Sequence, residues 1–287
     1  MEVSSIHTYS PRALDEALQM LAEYPKRYHI LSGGTDLVVR MQDGVVHPKH
    51  LLNLTFIPEL KEVFIDENQL TFGANVTFGE VLENDRFWKH AAPLFQAAQI
   101  MGSPQIRNMA TLGGNIMNAS PAADSVPPLF VLGAEICLES LNSIRWVKIE
   151  NFFTGPGKTV REPSELLTKV RFPIKPDFWQ GGFLRLGQRE ALAISKVSLA
   201  FWGDFSHGAV QEVRLALGAV APTVIRAAKT ENFLRRKPLT SAVLEDASGI
   251  IKNEAYPISD IRSDAVYRKE MCGVLLRRAL ERIFAGK

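Results

Sequence analysis

Apolar residues recur at two different periods along this chain, and the alternation of periods marks out its elements. Leu14, Ala17, Leu18 and Leu21 repeat at the i, i+3, i+4, i+7 spacing of one buried helical face, behind a Ser10-Pro11 pair that favours a helix start. Tyr28 to Leu31 reads as a strand running into Ser32-Gly33-Gly34-Thr35-Asp36, and Leu51 to Leu54 as a second strand after the Pro48 turn. A second segment opens near Ile57-Pro58-Glu59-Leu60, with a strand over Leu70 to Ala74 and a helix from Thr77, whose Glu80 three residues on completes a capping box. A longer helix is predicted over about Phe87 to Met101. Strands follow around Glu135 to Leu141 and Leu167 to Phe172.

Pro173-Ile174-Lys175-Pro176 reads as a linker. Beyond it, Ser198 to Phe205, the His207-Gly208 turn and the alternation of Val213, Leu215 and Leu217 predict an antiparallel hairpin. Helices are predicted over about Arg226 to Arg235, Ser241 to Lys252 and Asp264 to Ala285. The last carries Tyr267, Met271, Val274, Leu275, Leu280, Ile283 and Phe284 as an apolar stripe. Strands followed by helices make this C-terminal piece α+β.

One stretch fits neither period. Between Arg107 and Asp124 no residue is charged, yet the run is rich in Gly, Asn, Ser, Thr and Pro, which predicts an extended loop buried against something that satisfies its backbone groups.

Composition narrows the function. The 287 residues suggest two domains or three, and 46% hydrophobic with 22% charged residues is a globular composition. A formal net charge of +2 argues against a dedicated nucleic-acid binder. Two cysteines, Cys137 and Cys272, cannot build a disulfide framework, a four-thiolate zinc site or an iron–sulfur cluster, so any cluster chemistry must come from another chain. Glu2, Arg12, Asp15 and Glu16 interrupt the start where a secretory signal needs an apolar run, so a cytoplasmic location is expected. The six histidines form no HExxH pair, and no metal is assigned; Asp15, Glu16 and Glu59 read as solvated charges.

Two glycine pairs carry the candidate chemistry. Ser32-Gly33-Gly34-Thr35-Asp36-Leu37 is a strand feeding a turn whose successive N–H groups can form an anion nest, with Ser32 and Thr35 as further donors to phosphate. It is neither the GxGxxG fingerprint nor a P-loop, and alone it reads more readily as a plain turn. Thr111-Leu112-Gly113-Gly114-Asn115 continues through Asn118 and Ser120-Pro121 to Asp124; its amides and carboxylate suit the hydroxyls of a ribityl or ribose chain. The pairs lie about 80 positions apart. One extended diphosphate ligand accounts for both more economically than two unrelated turns.

These loops, with Gln105-Ile106-Arg107-Asn108, Thr154-Gly155-Pro156-Gly157-Lys158 and Gly218-Ala219-Val220-Ala221-Pro222-Thr223, resemble the FAD-binding subunits of molybdenum hydroxylases, most of all the medium subunit of bacterial xanthine dehydrogenases. The resemblance implies an α+β protein: a two-subdomain FAD-binding domain of the para-cresol methylhydroxylase type over 1–176 (subdomains about 1–55 and 56–176), then an α+β C-terminal domain over 177–287. It implies that the backbone from Leu31 through Ser32, Gly33, Gly34, Thr35 and Asp36 to Leu37 cradles the pyrophosphate. Thr111, Gly114, Asn118 and Asp124 match the second FAD motif, in which Asn115 also falls. Leu167 and Lys196 fall where an apolar and a basic residue stand beside the flavin, and Met101 where animal relatives often carry an aromatic residue.

A cation at the pyrimidine edge tunes a flavin's potential. Lys196 reads either as that cation or as an exposed strand lysine, Lys158 is a second candidate, and Arg107 reads as a structural anchor. The role implied is electron transfer in xanthine or other heterocycle oxidation, within purine metabolism. Electrons would pass from a partner 2Fe-2S subunit, beside a molybdopterin subunit, through FAD to NAD⁺ or another acceptor. A free-standing FAD oxidase of the same fold and a non-catalytic assembly module are the alternatives.

Overall fold

Three parallel strands open the chain: β1 (His7–Tyr9), β2 (His29–Leu31) and β3 (His50–Asn53), ordered β1-β3-β2. The computed structural model describes residues 6–189 and 192–285. Parallel pairing requires crossovers, and two helices supply them: α1 (Leu14–Glu23) and α2 (Leu37–Gln42). The face of α1 predicted from the spacing of Leu14, Ala17, Leu18 and Leu21 is buried, against Leu52, Leu54, Ile57, Leu60 and Leu166.

The helix begins three residues later than Pro11. Ala13 is extended, and Arg12 N–H donates to Glu16 Oε2 at 3.0 Å. Glu59, expected to be solvated, is half-buried and accepts from Leu14 N–H at 3.5 Å, so a carboxylate from a distant turn stands at the positive end of this helix.

The next layer is a five-stranded antiparallel sheet made of β4 (Val63–Asp66), β5 (Gln69–Gly73), β6 (Glu135–Ser140), β7 (Ser143–Lys148) and β8 (Leu166–Pro173), ordered β4-β5-β8-β6-β7. Its register against β6 shifts between Leu167 and Lys169. This bulge leaves Thr168 free of the β6 ladder; its hydroxyl donates to Glu139 Oε2 and its carbonyl accepts from Ala74 N–H.

Six helices join β5 to β6: α3 (Phe78–Glu83), α4 (Asp85–His90), α5 (Ala92–Ile100), α6 (Pro104–Met109), α7 (Leu112–Asn118) and α8 (Val126–Leu132). The capping box at Thr77 and Glu80 forms as predicted. Two expectations for this stretch fail. The helix over Phe87 to Met101 is two helices, because Ala91 leaves helical geometry (φ −141°, ψ 44°) just before Pro93, whose nitrogen has no proton to donate to a preceding turn.

The uncharged stretch expected as an extended loop instead holds the last residues of α6 and the whole of α7. Ser103 caps the first, its Oγ accepting from Ile106 N–H, with Pro104 at the first position. Thr111 caps the second by accepting from Gly114 N–H.

A four-stranded antiparallel sheet completes the fold: β9 (Trp179–Leu186), β10 (Val197–Asp204), β11 (Glu212–Gly218) and β12 (Ile225–Arg226), in that spatial order. The predicted hairpin is β10 with β11; β9, not anticipated, forms one edge. Successive residues of β10 serve two cores. Val197, Leu199 and Phe201 face the C-terminal helices α9 (Ala228–Leu234), α10 (Ser241–Glu254) and α11 (Ala265–Ala285), whereas Ala200 and Trp202 join the core packed around α5 and α8. The sheet is therefore shared, and one hydrophobic core runs from the middle sheet into the C-terminal piece. Of the stripe expected on α11, Leu275 and Leu280 are buried and Met271, Val274 and Ile283 partly so; Tyr267 is exposed, and the Phe284 side chain lies outside the described residues.

Both cysteines are buried. Cys272 Sγ donates to the Arg268 carbonyl at 3.3 Å, and burial pushes its thiol up to about 12; burial likewise raises Cys137. Because the thiolate is the reactive form, the native protein is expected to show no reaction with a disulfide reagent at pH 8 and two equivalents after denaturation. Release of a full equivalent without denaturant would contradict this burial.

Candidate functional site

The two glycine-rich segments meet. Ser32 Oγ donates to Asn75 Oδ1 at 2.6 Å and lies 3.0 Å from Thr111 Oγ1. A hydroxyl has one proton, and Ser32 has given its own to Asn75, so Thr111 is the donor between the two hydroxyls. Thr111 Oγ1 in turn accepts the Gly114 N–H, and Asn75 Nδ2 donates to the Leu54 carbonyl at 2.6 Å. Asn75 is only 2% exposed. A chain of hydrogen bonds thus runs from the first glycine turn through β5's end to the capped N-terminus of α7. A second tie, Asn118 Nδ2 to Asp36 Oδ1 at 3.3 Å, joins the far end of α7 to the end of the first turn.

Glycine is required where these segments touch. An added Cβ at Gly33 would stand 1.8 Å from the Met109 carbonyl oxygen, and one at Gly113 would stand 2.6 Å from the Ala74 carbonyl oxygen. Gly34 adopts φ +72°, the left-handed region. The resulting turn leaves the N–H groups of Ser32 through Asp36 without an acceptor among the described residues, while Val38 N–H closes α2 onto the Gly34 carbonyl. Successive free amides of this kind are an anion nest.

The nest opens into a cleft of about 510 Å³, within the size range of small-molecule sites. Its polar wall is the nest with Thr111, Gly114, Asn115 and Asn118. Its apolar wall includes Leu54, Met101, Ala110, Leu166 and Leu167. Arg40 and Arg161 line it against, among the described residues, the single carboxylate of Asp36, a balance that favours an anion. A polar nest at one side and an apolar slot at the other suit a ligand with a diphosphate and a flat ring system.

The description "FAD binding domain in molybdopterin dehydrogenase" belongs to the family matched by residues 4–175, and "CO dehydrogenase flavoprotein C-terminal domain" to the one matched by residues 183–283. The xanthine dehydrogenase FAD-binding subunit of Escherichia coli O157:H7 is 31% identical over 275 residues, covering 95% of this chain and 94% of that protein. The chain belongs to the FAD-binding subunits of the molybdenum hydroxylase family. Other relatives in this family include the nicotinate dehydrogenase FAD-subunit of Eubacterium barkeri, 30% identical and covering 91% of this chain and 90% of that protein. The solved carbon monoxide dehydrogenase from Hydrogenophaga pseudoflava superposes with a TM-score of 0.93 at 27% identity, covering 98% of this chain and 97% of that one. The α+β architecture is that of this subunit family, and the chain is an oxidoreductase subunit of FAD-dependent type.

Within this flavoprotein subunit, the cleft gathers Leu31 through Leu37, Met101, Thr111, Gly114, Asn115, Asn118 and Leu167. Asp124 and Lys196 do not line it. Asp124 is buried, and both of its oxygens are engaged: Oδ2 with Arg185 Nη1 at 2.7 Å and Oδ1 with the Ser195 hydroxyl at 2.6 Å. Burial raises its carboxyl above the usual carboxylate value, with Ser195 and Arg185 pulling against that rise. Lys196 stands over the Tyr267 ring at 5.9 Å. Lys158 is exposed while its neighbour Gly157 reaches the cleft.

Arg107 anchors as expected: its Nη1 donates to the carbonyls of Gln99 and Met101. Sequence reasoning missed two cleft cations, Arg40 and Arg161, the second of them three residues beyond Lys158. Arg161 Nη1 donates to the carbonyls of Glu162, Pro163 and Glu165, and burial lowers its pKa while Glu165 opposes this. An arginine so placed keeps its charge at neutral pH. Asn75, also missed, had one signal in the sequence: a lone amide directly after the apolar strand Leu70 to Ala74.

Proposed function

We propose that this subunit holds FAD in the cleft between its two glycine loops and relays electrons. They would come from a partner 2Fe-2S subunit, itself beside a molybdopterin subunit that hydroxylates a purine or similar heterocycle, and pass to NAD⁺ or another acceptor. The observation that carries the reading is the Ser32–Thr111 contact, which brings both loops to one cleft. FAD supplies the redox chemistry when bound; the protein supplies position and field.

In this reading the free amides from Ser32 to Asp36 hold the pyrophosphate, and Asn115 and Asn118 meet sugar hydroxyls. Met101 and Leu167 flank the flat ring and exclude water from it. Arg161 places positive charge in the cleft, the role considered above for Lys196. Two buried cysteines leave cluster chemistry to a partner. Among the described residues no helix is long and apolar enough to cross a membrane, and we place the complex in the cytoplasm.

The test is reconstitution of the purified full chain with FAD. A bound flavin absorption band near one equivalent, bleached by NADH, is the expected result. Absence of bound flavin would overturn the reading; a band bleached by dithionite but not by NADH would replace NAD⁺ with another acceptor.

A further inference from the structure

Among the described residues the C-terminal piece contributes none to the cleft lining, which extends no further along the chain than Leu167, yet it grips the helix whose end carries Met101 into the cleft's apolar wall. Helix α5 lies along the edge strand β9 and is fastened to it twice. Phe183 N–H, an edge-strand donor, is accepted by Gln96 Oε1 at 2.9 Å. Gly182 leaves room for that amide, since a Cβ there would come within 2.5 Å of the same oxygen.

One turn further along the helix, Arg185 Nη2 donates to the Ile100 carbonyl at 2.6 Å. The other face of this guanidinium is held by Asp124 and by the Ala193 carbonyl at 3.2 Å, and the arginine and aspartate side chains are 7% and 9% exposed. The carbonyls of Gln99, Ile100 and Met101 are the free end of α5, and two arginines, Arg107 and Arg185, take all three. The chain then turns sharply through Gly102 at φ +53°, leaving Met101 against the cleft.

We infer that Arg185 is a positioning residue: braced by Asp124 and Ser195, it sets the end of α5 and with it the Met101 wall of the cofactor cleft, so that the C-terminal piece controls how the flavin ring is seated. This rests on the FAD reading of the cleft. The network is buried and charge-assisted, which is the condition under which such groups hold a site to within fractions of an ångström.

The experiment uses the full chain and FAD itself, with affinity read by quenching of flavin fluorescence and ring environment by visible circular dichroism. Arg185→Met is expected to raise the dissociation constant about tenfold, the equivalent of about 1.4 kcal/mol, and to alter the flavin dichroism. Arg185→Lys recovers much of both, because an ammonium can still reach the Ile100 carbonyl and Asp124. Thr230→Val, on α9 and buried against Glu254, lowers the melting temperature and moves neither readout. Gln96→Leu, which removes only the other fastening, shifts both readouts in the same direction by less and serves if Arg185→Met fails to fold. Superimposable affinity and dichroism in wild type, Arg185→Met and Gln96→Leu would overturn the inference, as would equal shifts in Thr230→Val. Wild-type chain that binds no FAD would instead overturn the cofactor reading beneath it.

Discussion

Gly33→Ala is expected to leave a folded chain that has lost most of its affinity for FAD. The new methyl group would meet the Met109 carbonyl oxygen at 1.8 Å and its carbon at 2.7 Å. Both are backbone atoms of a capped helix, so no side chain can rotate away, and the first glycine turn must withdraw from α6. Withdrawal separates Ser32 from Thr111 and Asn75 and spoils the common aim of the amides from Ser32 to Asp36. Overpacking of this kind costs about 1–3 kcal/mol, and where that strain falls on the binding loop it converts to roughly a 10- to 100-fold weaker dissociation constant. Gly249→Ala on α10, where an added Cβ meets nothing within 4 Å, is the matched control and should bind as wild type. Equal affinity in Gly33→Ala and wild type would mean that the nest does not hold the cofactor.

The largest loss of stability is expected far from the cleft, at Glu231. Its carboxylate accepts from Arg226 Nε and Nη2, each at 2.8 Å, and from the Leu215 N–H at 2.7 Å. These contacts tie α9 to β11 and β12 under the C-terminal core. Glu231→Ala strands a buried backbone amide and leaves Arg226 with only the more exposed Glu150. Removing one partner of a buried pair costs about 3–5 kcal/mol, and in a chain of this size that corresponds to a fall in melting temperature of roughly 10 °C. Glu231→Gln, which keeps an acceptor for Leu215, should fall less. Calorimetry of the two variants checks the order, and an unchanged melting temperature for Glu231→Ala would show that this pair contributes nothing.

Elements with one dominant local signal were legible. The buried stripe of α1, the Thr77–Glu80 capping box and the alternation in β10 each follow from spacing alone, because their partners in the pattern are a few residues away. Errors came where two local signals competed. In Leu112-Gly113-Gly114 the glycines argue for a turn, but Thr111 caps a helix and Gly113 is small because the Ala74 backbone passes beside it. Glu59 reads as solvated until α1 is seen to start against it. Lys196 reads either as a cleft cation or as an exposed strand lysine; the fold stands it over Tyr267 and brings Arg161 to the cleft.

From its residues alone, the chain determines which backbone segments can approach a ligand, because glycine's freedom and a hydroxyl's capping capacity are properties of single residues and their neighbours. Its two cysteines likewise limit what chemistry it can hold. Tertiary structure alone decides which groups converge: that Asn75 links the two loops, that Arg161 enters the cleft, and that Asp124 is consumed by Arg185 and Ser195. Those pairings join residues dozens of positions apart, and their geometry is set by how sheets and helices stack to bury apolar surface, which no local spacing records.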